Sequence, residues 1–360
     1  MTEAPTLSID AMGGDAGPRP VLDGIVRFLR TREDTRLLLH GNEEVLTPLV
    51  RRRRALDGSV EICHAPDTVS MSDQPSQTLR TGRNSSMWHA LKAVADGRAR
   101  AAVSAGNTGA LMAMSVLILR KAPGVDRPAI AVHWPSNHAS GFTTVLDVGA
   151  DLRADPHNLS QYAVMGAEYA RASLDVETPR VGLLNIGTEA TKGHSDLHDA
   201  SNIISAAAER PESGFRFLGF VEGTHIPTGE ADVIVTDGFT GNIALKTGEA
   251  TARFISNALK AAFKHTPLSR IGYLFALTSL NRMRKRIDPR RVNGGVFLGL
   301  NGPVVKSHGG ADGLSFSAAL HLAAGLARND FSGRLASQLA NLGLDRKTAT
   351  GVHGAERQAR

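Results

Sequence analysis

The 360 residues hold one cysteine, Cys63, which excludes an intrachain disulfide framework and disfavours a cysteine-based structural zinc site. Aromatic residues are scarce, at 5%, leaving few ring faces on which nucleic-acid bases could stack. No uncharged apolar run approaches the ~20 residues that a membrane-spanning helix needs. Met1 to Asp10 has no basic run followed by an apolar stretch, so no signal peptide is expected. A Gly-x-x-x-x-Gly-Lys-Ser/Thr phosphate loop, a Gly-x-Ser-x-Gly nucleophile elbow and a complete Gly-x-Gly-x-x-Gly after a strand are all missing. His194 and His198 stand four apart without the companion Glu of the helical zinc motif, so no metal site is expected. Cys63 lies away from the Gly-rich loops described next, and nothing nominates a covalent nucleophile.

What is present is a globular composition, 42% hydrophobic with 37 glycines and no Gly-X-Y period. Short apolar strands run repeatedly into Gly-rich polar loops and then helices. Leu7 to Asp10 meets Ala11-Met12-Gly13-Gly14-Asp15, and Ala101 to Ser104 meets Ala105-Gly106-Asn107-Thr108-Gly109 before a helix over Ala110 to Arg120. Thr143 to Asp147 ends at Val148-Gly149, and Val181 to Ile186 ends at Gly187, before a helix over Leu197 to Glu209. Asp232 to Thr236 ends at Asp237-Gly238-Phe239-Thr240-Gly241-Asn242. A last strand near Gly295 to Leu300 precedes Lys306-Ser307-His308-Gly309-Gly310 and a helix over Leu314 to Ala327. This repetition predicts an α/β fold, a mainly parallel sheet with helices on both faces. Ligands of such sheets bind outside the carboxyl ends of the strands. The expectation is therefore that Asp10, Asn107, Asp147, Lys192, Asn242 and Lys306 gather along one edge. No linker or repeat divides the chain, so one domain over 1–345 is expected, with a polar, aperiodic and disordered tail over 346–360.

Charge is uneven. The formal net charge is +6, yet Thr251 to Val292 holds ten basic residues against the single carboxylate of Asp288. Ile255, Ala258, Leu259, Ala262 and Phe263 fall at helical spacing there, and Pro267 ends that helix. Ile271 to Asn281 follows without a charge, and Arg282 to Arg286 come at once after it. Such a segment suits either an interfacial anchor on an anionic membrane, with Leu274, Phe275 and Leu277 as the contact, or a helical hairpin in a subunit interface.

Small residues at a helix start let backbone N–H groups meet an anion, which makes Gly106, Asn107, Thr108 and Gly109 a candidate cradle, although Gly-Asn turns often only reverse the chain. Lys192, between a strand and a helix, is placed for an anion, and Asp237 is either a ligand or a helix cap. Lys306 and His308 place two potential cations together.

Six segments in order carry a resemblance: SIDAMGGDAGP (Ser8 to Pro18), SAGNTGALM (Ser104 to Met112), LDVGAD (Leu146 to Asp151), LLNIGTEATKG (Leu183 to Gly193), DVIVTDGFTGNIALKTGE (Asp232 to Glu249) and LGLNGPVVKSHGGAD (Leu298 to Asp312). Gln77 to Arg80 and Asn84 to Met87 also match. Together they resemble the bacterial phosphate acyltransferases of phospholipid synthesis, enzymes that form acyl-phosphate from acyl carrier protein thioesters and inorganic phosphate. The resemblance implies a Rossmann-like α/β/α sandwich similar to phosphotransacetylases and isocitrate/isopropylmalate dehydrogenases, with a protruding helical hairpin at 251–292. It implies a homodimer in the cytoplasm, peripherally associated with the inner face of the cell membrane. Acyl carrier protein, an anionic membrane surface and a downstream membrane glycerol-phosphate acyltransferase are the implied partners; no cofactor and no nucleic acid are. It carries catalytic roles onto Lys192 and Asn242, with Asp10, Gly13, Gly14, Gly106, Asn107, Thr108, Gly109, Asp237, Lys306 and His308 as the substrate- and phosphate-binding set. The alternative is a related phosphotransacetylase using acyl-CoA.

Overall fold

The computed structural model describes residues 5–32, 34–189, 191–287, 294–328 and 330–345. The tail 346–360, expected to be disordered, lies outside the described residues, as do Asp288, Arg290 and Arg291. The strands are β1 (Thr6–Asp10), β2 (Arg36–Gly41), β3 (Val60–His64), β4 (Ala101–Ser104), β5 (Ala129–Pro135), β6 (Phe142–Leu146), β7 (Arg180–Leu184), β8 (Arg216–Val221), β9 (Val233–Val235), β10 (Gly295–Leu298) and β11 (Val304–Lys306). The helices are α1 (Pro18–Leu29), α2 (Glu43–Arg51), α3 (Pro75–Thr81), α4 (Ser86–Ala95), α5 (Thr108–Leu119) and α6 (Pro156–Leu174). They continue with α7 (Ser195–Ala208), α8 (Gly238–Lys264), α9 (Pro267–Ile287), α10 (Gly313–Arg328) and α11 (Phe331–Asn341).

Among the described residues, all eleven strands join one sheet in the order β3-β2-β1-β4-β11-β10-β5-β6-β9-β7-β8. Period-2 alternation sets its two faces. On β1, Leu7 and Ile9 point into a core with Phe28 of α1, Tyr162 of α6 and Phe316 of α10. On the other face, Leu38, Ala102, Val304, Phe297 and Ile234 pack with Met87 and Leu91 of α4 and Leu111 and Met114 of α5. Ser8 and Asp10 take the alternate positions of β1, and both are fully buried. The polar residues between strands and helices act as caps. Ser85 accepts from the Trp88 N–H at the start of α4, and Asp155 from the Asn158 N–H at the start of α6; each cap is worth about 1 kcal/mol.

The sheet is mostly parallel, as expected, but three pairs in its middle are antiparallel: β11 with β10, β10 with β5, and β5 with β6. Three reversals leave β6, β9, β7 and β8 running opposite to β3, β2, β1, β4 and β11. The carboxyl ends of β1, β4 and β11 therefore form one rim, called upper here, while those of β6, β9 and β7 form the opposite, lower rim. This corrects the expectation of a single edge. Hydrophobic patterning sets which face a strand buries but not the direction in which it runs.

Two consecutive helices leave the sheet. Only Gly238 and Gly241 of α8 are buried, and Phe254, Ile255, Leu274 and Phe275 are exposed, Phe275 to 85%. The rings of Phe263 and Tyr273, 5.3 Å apart, bring α8 and α9 into contact. As expected, the helix before Pro267 ends, at Lys264, and Pro267 then opens α9, where a missing N–H costs nothing.

Candidate active site

On the upper rim, Asp10 gathers the chain. Its carboxylate accepts from Ser86 Oγ and Ser104 Oγ at 2.6 Å each, and from the N–H groups of Gly13 at 3.2 Å and Met12 at 3.3 Å. Burial pushes its pKa up, and the four donors pull it back. Asp10 thus ties the first Gly-rich loop to the start of α4 and the end of β4. Gly13 and Gly14 belong to that loop, and Asp15 N–H donates to Gly309 O at 2.9 Å, fastening it to the loop after β11. His308, in that last loop, is exposed, and its Nδ1 accepts from the Gly310 N–H at 3.3 Å.

Asn107 is already occupied. Its Oδ1 caps α5 by accepting from Ala110 N–H at 3.1 Å. Its Nδ2 donates to the carbonyls of Asp73 at 2.9 Å, Met71 at 3.1 Å and Ser70 at 3.4 Å. The amide expected in the anion cradle instead holds a loop that borders a cleft of about 380 Å³ lined by Asp67, Thr68, Asp73, Thr78 and Ser85. Gly106 is buried beneath it, its N–H donating to Ser104 Oγ at 3.0 Å. Thr108 and Gly109 are exposed in the first turn of α5, where backbone N–H groups have no intrahelical acceptor.

Lys306 is the unusual group of this rim. It ends β11 with 8% of its surface exposed. Its Nζ donates to the carbonyls of Ser307 and, at 3.4 Å, Ala105. Among the described residues no carboxylate lies within ion-pair distance of it. Burial pulls its pKa down to about 8, against the pull of Asp10 and Asp15 and with the help of the like charge of Lys246.

The lower rim has a matching anchor. Asp147, fully buried, accepts from the N–H groups of Asp151 at 2.7 Å, Ile130 at 2.8 Å, Ala150 at 3.0 Å and Gly149 at 3.1 Å. Burial raises its pKa as well. Asp237 caps α8, accepting from the Thr240 N–H at 2.8 Å. Asn242, in the first turn of α8, is exposed, and its amide nitrogen lies over Gly149. Asn185 shapes the loop after β7, donating to Lys192 O at 3.0 Å, while the Lys192 side chain stands in solvent.

The structure thus brings Asp10, Gly13, Gly14, Gly106, Asn107, Thr108, Gly109, Lys306 and His308 to one rim and Asp147, Lys192, Asp237 and Asn242 to the other. One element joins them. Gly241 of α8 meets the Asp147 carbonyl so closely that no Cβ fits. Gly248, two turns on, meets the Trp134 ring in the same way. Trp134 pairs with Thr143 at the start of β6, on the upper side. The helix covers about 10 Å between these glycines, close to the ~13 Å of strand from Ile130 to Trp134. So α8 crosses the sheet from lower to upper rim, carrying Asn242 at one end and Lys246 one turn further along the same side. Lys246, Ser86, Ser104 and Asn185 were absent from the sequence-derived set. Helical periodicity from Asn242 was the signal that could have found Lys246.

Among the described residues, no group of three or more His, Cys, Asp or Glu side chains could hold a metal ion, and no helix is long and apolar enough to cross a membrane.

A profile of the fatty acid synthesis protein family matches residues 6–334. The chain is 54% identical over 357 residues to a phosphate acyltransferase of Ruegeria pomeroyi, covering 98% of this chain and 96% of that protein. It is 57% identical over 335 residues to a phosphate acyltransferase of Ruegeria sp. (strain TM1040), covering 93% and 89%. Among solved structures, it is similar to a phosphotransacetylase from Streptococcus pyogenes (TM-score 0.59, 17% identity, 91% of this chain and 95% of that one). A phosphotransacetylase from Staphylococcus aureus is similar to the same degree (TM-score 0.58, 17% identity, 90% and 94%). These two likenesses concern the fold.

Proposed function

We infer the reaction from the premise that the chain belongs to the fatty acid synthesis protein family, over residues 6–334. It is a phosphate acyltransferase, forming acyl-phosphate for phospholipid synthesis. The inorganic phosphate oxygen attacks the thioester carbonyl carbon, the C–S bond breaks, and the thiolate leaves and takes up a proton. Thiols ionise near pH ~8.5, so the leaving group needs little acid assistance. The tasks left to the protein are to hold two anionic species together and to stabilise the tetrahedral oxyanion. In our reading Asn242 donates to that oxyanion, and Lys192 neutralises charge that develops on the lower side. The upper rim receives phosphate at Lys306 and the first turn of α5, with Asp10, Gly13, Gly14 and Gly106 building the floor. Asn107 acts there as a positioning residue. Asp237 positions Asn242 by capping α8, and His308 borders the site.

The observation that carries this reading is Lys306, a buried ammonium whose Nζ, among the described residues, donates only to carbonyl oxygens. A buried cation is costly unless paired, and an anionic substrate supplies the pair.

The finer features are proposals too. Acyl carrier protein is the thioester donor, and the isocitrate/isopropylmalate dehydrogenase likeness describes the sandwich. The apolar side chains that α8 and α9 leave exposed support a homodimer and a membrane contact at Leu274, Phe275 and Leu277. Of these Leu277 is half-buried and the other two are exposed. Contact with the bilayer would favour hand-over of a hydrophobic acyl-phosphate to a membrane glycerol-phosphate acyltransferase. The alternative reading is a related phosphotransacetylase that takes the acyl group from acyl-CoA.

The test is consumption of long-chain acyl carrier protein thioester and acyl-CoA by the purified enzyme, with phosphate varied and acyl-phosphate trapped as hydroxamate. Phosphate-dependent hydroxamate is expected, faster from the carrier thioester. Thioester loss independent of phosphate, or a stable acylated side chain on the pathway, overturns the mechanism.

A further inference from the structure

We propose that Lys246 of α8 and Lys306 of β11 together form the subsite that holds inorganic phosphate, two cations presented to one anion from opposite walls. The proposal rests on the acyl-transfer reading and adds a residue and a ligand position to it.

The placement of Lys246 follows from how α8 is held. Gly241 seats the helix on the Asp147 carbonyl and Gly248 seats it on the Trp134 ring. With contacts five residues before Lys246 and two after it, neither the tilt nor the rotation of the helix is free. Lys246 then stands beyond Asn242 on the same side, towards the rim where β11 ends. Lys306 reaches that space from the sheet. Its Cα is in register with Ser104 of β4 and Gly295 of β10.

The carboxylates near the two lysines are engaged elsewhere or exposed to solvent. Asp10 is in register with Lys306 across β4, two strands away, and commits its carboxylate to Ser86, Ser104, Met12 and Gly13. Asp15 is exposed in its loop. Lys246 pairs with Glu249 of its own helix at 3.0 Å, with the lysine 60% exposed. An exposed pair of this kind contributes little and is readily exchanged. A dianionic tetrahedral ligand suits two ammonium groups better than a monocarboxylate does, because each cation bonds a separate oxygen. The phosphate would then sit about one helical turn from Asn242, within attacking range of a carbonyl polarised there.

The experiment uses the full-length enzyme with saturating acyl thioester and varied phosphate. Lys246→Gln is expected to raise the phosphate KM about tenfold or more, the loss typical of one charge-assisted hydrogen bond. The thioester KM should stay within about twofold, and Lys246→Arg should recover most of the phosphate affinity. Lys246→Glu should abolish saturation by phosphate. Lys92→Gln, a surface lysine of α4 paired with Asp96, serves as the unaffected control.

A pH profile separates this from a structural role. The groups facing Lys306 are Asp10 from β1, Asp15 from the first loop and Lys246 from α8. Removing the Lys246 charge removes an influence that lowers the Lys306 pKa, so the alkaline loss of phosphate affinity moves to higher pH. Phosphorus NMR titration of inorganic phosphate without acyl thioester gives a readout independent of turnover. Phosphate binding lost in Lys246→Gln, in an enzyme that makes no acyl-phosphate, would uphold the subsite and overturn the reaction. Normal turnover with unchanged phosphate KM and unchanged alkaline limb in Lys246→Gln would overturn the subsite and leave the reaction standing.

Discussion

The two rims solve the same local problem with different materials. At each, a strand ends in a buried aspartate that collects loop donors, Asp10 above and Asp147 below. Asp147 takes only backbone N–H groups, four of them from residues 130 to 151. Asp10 takes two hydroxyls from distant segments, Ser86 and Ser104, with two local N–H groups. The lower aspartate therefore shapes a turn, while the upper one fastens three parts of the fold. Their cations differ in the opposite sense. Lys306 is buried and perturbed, whereas Lys192 is solvated. A buried ammonium is preorganised for an anion and gives little back to solvent, while a solvated one must be ordered first.

Removing the upper cation should have the largest effect on chemistry. Lys306→Met is expected to lower turnover about a hundredfold or more, the scale seen when a preorganised electrostatic group is lost, without loss of the folded state in thermal melts. An intact rate would erase the distinction between the rims. The pH dependence sharpens it. Lys306 titrates at about 8 when folded, below the free lysine value near ~10.4. Between these values the unfolded chain binds the extra proton, so this group's contribution to stability rises as pH climbs through that window. Phosphate affinity falls over the same climb. The urea midpoint and the phosphate KM should thus rise together with pH, and a phosphate KM that falls or stays flat while stability rises would refute the assignment.

Next come the lower-rim groups. Asn242→Ala and Lys192→Ala should each lower turnover at least about tenfold, measured as hydroxamate formation, with the fold kept. Stability separates the aspartates. Asp10→Ala strands two buried hydroxyls and two N–H groups and should cost about 3 kcal/mol or more. Asp10→Asn should cost less, because an amide oxygen still accepts. Asp147→Ala should cost comparably by denaturant titration but leave the α4 amides protected from hydrogen exchange, which Asp10→Ala should not. The smallest expected effect per residue lies off both rims. Polar replacement of Leu274, Phe275 and Leu277 should reduce flotation with anionic liposomes, at roughly 1 kcal/mol or more per apolar side chain withdrawn; unchanged flotation would end the proposed membrane contact.

Much of this architecture is readable in the chain. Strands β1, β4, β6, β7 and β9 and helices α5, α7 and α10 follow from apolar runs punctuated by glycine. The central reversal does not. β5, β10 and the three-residue β11 look like any other short apolar run, and their antiparallel pairing depends on contacts remote in sequence. For that reason a set of loops read as one site divides into two. Asn107 illustrates a second limit: an amide before a helix reads identically as a cap and as a ligand, and only the carbonyls of Ser70, Met71 and Asp73 decide between them. Lys246 was legible as a helical neighbour of Asn242, but its significance required knowing where β11 ends.

A rod fixed at two points also serves as a gauge. Because α8 is seated at Gly241 and Gly248, the stretch between them cannot gain or lose a residue quietly. One inserted residue would turn everything beyond it by ~100° and advance it by ~1.5 Å. The ring-bound seat, the ammonium and the long arm shared with α9 would all be swung away from their stations at once. Length in this short interval is thus constrained more tightly than residue identity, and a tolerated indel between 241 and 248 is the change this architecture forbids.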